Sequence, residues 1–163
     1  MRYSCAMILE IKRYPDPILR KKCEEIKEIT SEIKVLIENM FETMYQNQGV
    51  GLSACQVGVP KQIAVLDVGD GPRVFINPKI LKKEGEKYFE EGCLSVPGVF
   101  LKIKRAREIE VEALNEKGEK FKIKAEGLLA YCLQQEIDHL QGILIIDRAS
   151  AAQKIKLRLL GKT

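Results

Sequence analysis

The sequence predicts an α+β domain: antiparallel strands packed around one central helix, with a second helix at the C-terminal end. Three observations predict it. Residues 128–142, LLAYCLQQEIDHLQG, lack Pro and internal Gly and place Leu129, Cys132, Leu133, Ile137 and Leu140 at the three-four spacing of a core-packed helix. Further on the N-terminal side, Ile109, Val111 and Ala113, then Phe121 and Ile123, alternate with charged residues, the period of half-buried strands. The 163 residues show no repeat, linker or low-complexity stretch, so they read as one domain, 1–163.

Taken in order, residues 1–6 read as a loose tail. Residues 8–14 end at the corner Pro15-Asp16-Pro17, and Ile18-Leu19 form an apolar anchor before the basic Arg20-Lys21-Lys22. Thr30 or Ser31 can cap a helix over 32–46, whose Ile33, Leu36, Ile37, Met40, Phe41 and Met44 fall on one face. Asn47 to Gly51 breaks that helix. The sequence GVGLSACQVG at 49–58 carries glycines that permit tight turns and close backbone approach. Strands are expected at 62–68 and 73–76, the second ended by Asn77-Pro78, with a charged, exposed strand over 80–92. The two alternating strands meet at a turn over 115–118. Gly127 and Gly142 suit the two ends of the central helix. A buried strand is expected at 143–146 and a closing helix at 149–160, the latter carrying Lys154, Lys156 and Arg158.

The composition is 45% hydrophobic and 31% charged, that of a water-soluble globular protein. A net charge of +4 is too mild to imply DNA. No run approaches membrane-spanning length, and the first residues turn charged too early for a secretory signal. The five cysteines (Cys5, Cys23, Cys55, Cys93, Cys132) are odd in number and form no C-x-x-C pair. That argues against a disulfide framework and for a reducing, cytoplasmic setting.

The chemistry-bearing residues of the central helix are Gln135, Glu136 and His139, the only histidine. Positions 135 and 139 lie one turn apart and share a face. The pattern nearly spells His-Glu-x-x-His, in which two imidazoles grip a divalent ion and the Glu deprotonates its water. Taken alone, QEIDH is weak, because a single helical His is usually structural.

Two further stretches change that weighting. GVGLSACQVG at 49–58, EEGCLSVPG at 90–98 and QEIDHLQG at 135–142, in this order and spacing, resemble the three signature motifs of peptide deformylases. The resemblance runs from PDPILR to LIIDR, nearly the whole chain. It begins near Ile8, so Met7 is an alternative start. The departures are Gln135, where the family has the first histidine of its helix motif, and Ser53 and Cys55, where it more often has Ala and Pro.

The resemblance implies a hydrolase that removes the N-formyl group from the N-terminal methionine of new proteins and releases formate. It implies one divalent ion, ferrous iron in the usual case with zinc, nickel or cobalt able to replace it. The ion would be held by Cys93, His139 and the residue at Gln135. It makes Glu136 the general base, with the Gln56 amide and the Leu94 N–H as donors to the developing oxyanion. Val50, Leu128, Tyr131 and Cys132 would line the methionine slot, and the Gly51 backbone would hold the peptide. N-formyl-methionyl nascent peptides are the implied partners, together with ribosomal RNA at the basic terminal helix. Gln135 supplies only a neutral amide oxygen, a poorer donor to iron or zinc than imidazole. Two alternatives therefore stand beside the enzyme: a deformylase-fold module that binds formylated N-termini or the ribosome without turnover, and a basic RNA-associated protein with no small-molecule site.

Overall fold

A computed structural model describes residues 6–162; of the expected loose tail, residues 1–5 lie outside the described residues. The elements run α1 (Ser31–Gln46), β1 (Gly51–Ser53), β2 (Ile63–Leu66), β3 (Arg73–Glu84), β4 (Lys87–Cys93), β5 (Val96–Arg105), β6 (Glu108–Leu114), β7 (Lys120–Glu126), α2 (Gly127–Leu140), α3 (Ile145–Arg148) and α4 (Ala151–Leu159). The α+β class is as expected. Five strands form one antiparallel sheet in the order β1-β2-β3-β6-β7, and β4 and β5 pair separately.

Helix α1 starts where the Thr30 hydroxyl accepts the Ile33 N–H, which gives an otherwise unpaired first-turn donor a partner. Its Ile37, Met40 and Met44 pack on Leu52, Ile63, Val65 and Ile76. Helix α2 lies on the sheet through Ala130 and Leu133, against Ala64, Leu66, Phe75, Val111 and Ala125. A third cluster joins β5 (Val99, Leu101, Ile103) to Leu19, Leu144, Ile145, Ile146 and Leu157, anchoring the C-terminal helices. The second of these clusters fixes α2 on the sheet, and Glu136 and Gln135 of α2 meet the ends of β1 and β4 at Ser53 and Glu91.

Three expectations fail. Residues 143–146 form no strand: Leu144 N–H bonds to the Asp147 carboxylate at 2.8 Å and starts the short helix α3. A four-residue apolar run fits a buried strand or a buried helical turn equally well, and the Asp147 cap selects the turn. Asn77-Pro78 does not end β3. Asn77 adopts φ 51°, the register shifts between Ile76 and Lys79, and β3 continues to Glu84 as a bulged strand. The exposed stretch 80–92 is accordingly the end of β3 and most of β4, divided at Gly85-Glu86. Strand β5, Val96–Arg105, lies in a stretch where no separate strand is expected from the sequence.

Candidate active site

Two backbone hydrogen bonds draw the first two motif loops together. Lys12 N–H bonds to the Gln56 carbonyl at 2.7 Å, and Tyr14 N–H to the Ser95 carbonyl at 2.8 Å. The residue-8-to-14 segment thus clasps the turn after β1 to the turn after β4. Helix α2 closes the third side. Gly51 is needed there, because a Cβ would lie 2.7 Å from the Glu136 Oε1. At the far end of α2, a Cβ on Gly142 (φ 75°) would meet the Arg20 carbonyl oxygen at 2.4 Å, so only glycine lets the chain turn under that segment.

The three motifs surround one cleft of about 530 Å³. Val50, Gly51, Gln56, Cys93, Leu94, Leu128, Tyr131, Cys132, Gln135 and Glu136, all singled out from sequence, line it. His139 is fully buried behind that surface, with Nε2 3.3 Å from the Cys93 Sγ. Among the described residues its buried Nδ1 has no hydrogen-bond partner.

Gln56 is held by both halves of its amide. Its oxygen accepts the Ser53 N–H at 2.9 Å, while its nitrogen donates to the Ser95 hydroxyl at 3.1 Å and faces the Cys93 Sγ at 3.7 Å. Glu136 is 3% exposed, and its one hydroxyl donor is Ser53, at 2.5 Å from Oε2. Burial pushes the Glu136 carboxyl up to about 7, against the Ser53 hydrogen bond, which favours the ionised form. Burial likewise lowers His139 to about 4, so its ring is neutral at pH 7. Burial first, and then the Glu136 charge, push the Cys93 thiol up to about 12.

Sequence reasoning missed the charged layer behind the cleft. Glu91 and Arg105 form a two-point pair (2.6 and 2.9 Å), and Arg105 also reaches Asp138 at 2.5 Å. Arg148 binds the other side of Asp138 at 2.7 and 3.0 Å. The Gln135 amide nitrogen donates to Glu91 at 2.9 Å and to the Gly92 carbonyl at 3.2 Å. Gln134 fastens α2 to the β5–β6 turn, bonding both the N–H and the carbonyl of Ala106. The available signal was Asp138 and Gln134 on the apolar side of a core helix, since buried polar groups need partners.

Among the described residues no three His, Cys, Asp or Glu side chains converge as metal ligands. Cys93 and His139 make a sulfur–nitrogen pair of the kind that zinc and iron favour, and the Gln135 amide lines the same cleft as Cys93. A thiol raised by burial needs a cation beside it to persist as thiolate, and the neutral imidazole has a lone pair to give. The donor set therefore fits a divalent ion, with two strong donors and one weak.

Comparison with known proteins agrees with this geometry. The polypeptide deformylase family model matches residues 8–155. A peptide deformylase of Neisseria meningitidis is 47% identical over 154 residues, covering 93% of this chain and 92% of its own. Peptide deformylase 1 of Clostridium perfringens is 54% identical over 134 residues, covering 81% and 91%. The crystal structure of a peptide deformylase from Legionella pneumophila superposes with a TM-score of 0.90 at 42% identity, covering 94% and 92%. Motif, geometry and likeness over almost the whole length agree: the chain belongs to the polypeptide deformylase family.

Proposed function

We propose that this chain is a metal-dependent hydrolase that removes the formyl group from N-formyl-methionyl peptides and releases formate. The observation that carries the reading is a buried carboxylate, Glu136, with no cationic partner among the described residues, in the same cleft wall as the Cys93–His139 pair. Cys93, His139 and Gln135 would hold a divalent ion, iron by family habit with zinc, nickel or cobalt as substitutes, and the ion would supply Lewis acidity to the hydrolysis.

The chain's own groups do the rest. Glu136, raised toward neutrality, takes a proton from the attacking water and passes it to the departing amine nitrogen. Water adds to the formyl carbon, the C–N bond breaks, and formate and a free methionyl amine result. The Gln56 amide nitrogen sits between the Ser95 hydroxyl and the Cys93 Sγ at the cleft; turned from that sulfur, its second N–H would join the Leu94 N–H as donor to the oxyanion. Val50, Leu128, Tyr131 and Cys132 offer apolar contact to an unbranched side chain, and the Gly51 backbone to the peptide. Helix α4, with Lys154, Lys156 and Arg158 exposed, has the charge to meet ribosomal RNA.

The test is formate release from formyl-Met-Ala-Ser beside metal content, on protein purified without oxygen. Turnover with about one metal per chain is the expected result. Peptide binding without metal or turnover, unrestored by Gln135→His, would overturn the enzyme and leave a binding module.

A further inference from the structure

Gln135 is where this chain departs from its family, and its surroundings decide which way its amide faces. Two groups meet one half of that amide: the Glu91 carboxylate at 2.9 Å and the Gly92 carbonyl at 3.2 Å. Both can only accept, so the half that faces them must be the NH₂. Glu91 cannot turn aside, because Arg105 grips both of its oxygens and is itself buried against Asp138. A flipped amide would set its oxygen against a carboxylate. The carbonyl oxygen is therefore left to the other side. Gln135 and Cys93 line the same cleft, and His139 is one helical turn on.

The geometry points to Gln135 as a third, neutral oxygen ligand for the divalent ion, locked oxygen-first by Glu91 and the Gly92 carbonyl. This rests on the metal-hydrolase reading and adds to it the nature of the site. One sulfur, one nitrogen and one amide oxygen make a weaker set than two nitrogens and a sulfur. The set is also less selective, because carbonyl oxygen suits manganese as well as zinc, whereas imidazole favours zinc. Glu91 is then a positioning residue: it keeps the amide nitrogen away from the ion.

The experiment is anaerobic titration of the metal-free full chain with Zn²⁺, Co²⁺ and Mn²⁺, each in competition with a chelator. The parent is compared with Gln135→His, Gln135→Leu and Gln135→Asn, with circular dichroism to confirm folding. The thiolate-to-cobalt charge-transfer band reports Cys93 ligation separately. Gln135→Leu should bind each metal about tenfold more weakly than the parent, near the lower end of what loss of one supporting group costs a metal site. Gln135→Asn, whose oxygen is withdrawn by one methylene, should fall with Leu and decides the matter if Leu misfolds. Gln135→His should tighten zinc by about a hundredfold or more and widen the zinc-to-manganese ratio. Equal affinities in the parent, Leu and Asn proteins, with the cobalt band present, would overturn the ligand and leave the enzyme reading intact. Absence of the band even in Gln135→His would overturn both.

Discussion

Glu136 and Asp138 are two residues apart on α2, both buried, and their surroundings are opposite. Asp138 points into the layer behind the cleft and is held by two guanidinium groups, Arg105 at 2.5 Å and Arg148 at 2.7 Å. Glu136 points into the cleft and has a single hydroxyl, that of Ser53. A carboxylate with cationic partners stays charged and ties elements together; here it joins α2 to β5 and α3. A carboxylate without them is pushed toward the neutral form, in this case to about 7, where it can exchange protons near physiological pH. The helix thus carries an ion-paired carboxylate and an exchangeable proton two residues apart by giving the guanidinium groups to one side only.

The largest effect should come from breaking the paired side. Arg105→Leu leaves Glu91 without its fork and Asp138 with Arg148 alone, both in a dry interior. Loss of about 3–5 kcal/mol is expected, the usual cost of removing one partner from a buried pair. Denaturant unfolding measures it; a loss under about 1 kcal/mol would mean that water reaches this layer. Breaking the unpaired side should do the reverse. Glu136→Gln should lower formate release by on the order of 10²–10⁴-fold, the range for a general acid–base group. Stability should not fall, since a buried carboxylate that no cation pairs has been replaced by a neutral isostere whose amide oxygen can still accept from Ser53. A variant that lost both activity and stability would show that Glu136 is structural as well.

The contrast sharpens with pH, in chelated protein. Glu136 ionises at about 7 when folded and at the ordinary 4.5 when unfolded. Between those values the folded state holds the extra proton, so its contribution to stability is present below about pH 4.5 and is lost as pH rises to 7. His139 runs the other way, with a folded value of about 4 against 6.5, so its contribution is present above about pH 6.5 and is lost as pH falls to 4. The charged groups that bear on Glu136, namely Glu91, Arg105 and Asp138, and the His139 contribution are common to the parent and Glu136→Gln. They cancel in the difference. The stability advantage of the variant should grow between pH 5 and 8, by on the order of 3 kcal/mol for a shift of this size. A flat difference would show that the carboxylate is solvated.

Much of this was legible in the sequence, and what was not has a physical cause. Both long helices and the β6–β7 hairpin declare themselves through strict periodicity over many residues. The cleft was legible only through the resemblance of the three motifs to those of a known family, which implied that Gly51, Gln56, Cys93 and Glu136 share one site; spacing alone left each of them an ordinary turn or core residue. Residues 143–146 and Asn77-Pro78 misled because short apolar runs and single turn residues suit more than one backbone, and a distant or later side chain decides. The Glu91–Arg105–Asp138–Arg148 layer was invisible for a different reason. Its members are 14 and 33 residues apart along the chain at the two Arg105 pairs, and no local pattern marks a charge that will be buried.

The smallest change tests the thread that remains between the two sides. Ser53 is fully buried, and its hydroxyl reaches both the Glu136 carboxylate at 2.5 Å and the Glu136 carbonyl at 3.1 Å. Ser53→Ala removes the hydroxyl, which favours the ionised form more than the Arg105 charge does, so the carboxyl should rise further above 7. Formate release at pH 7 should then fall several-fold and recover as pH rises, which a merely structural loss would not do. The stability cost should be about 1–2 kcal/mol at pH 8, where the hydroxyl serves a charged acceptor, and less at pH 5, where the acceptor is neutral. Equal costs at the two pH values would mean that the hydroxyl serves the helix backbone, through the Glu136 carbonyl, and not the carboxylate.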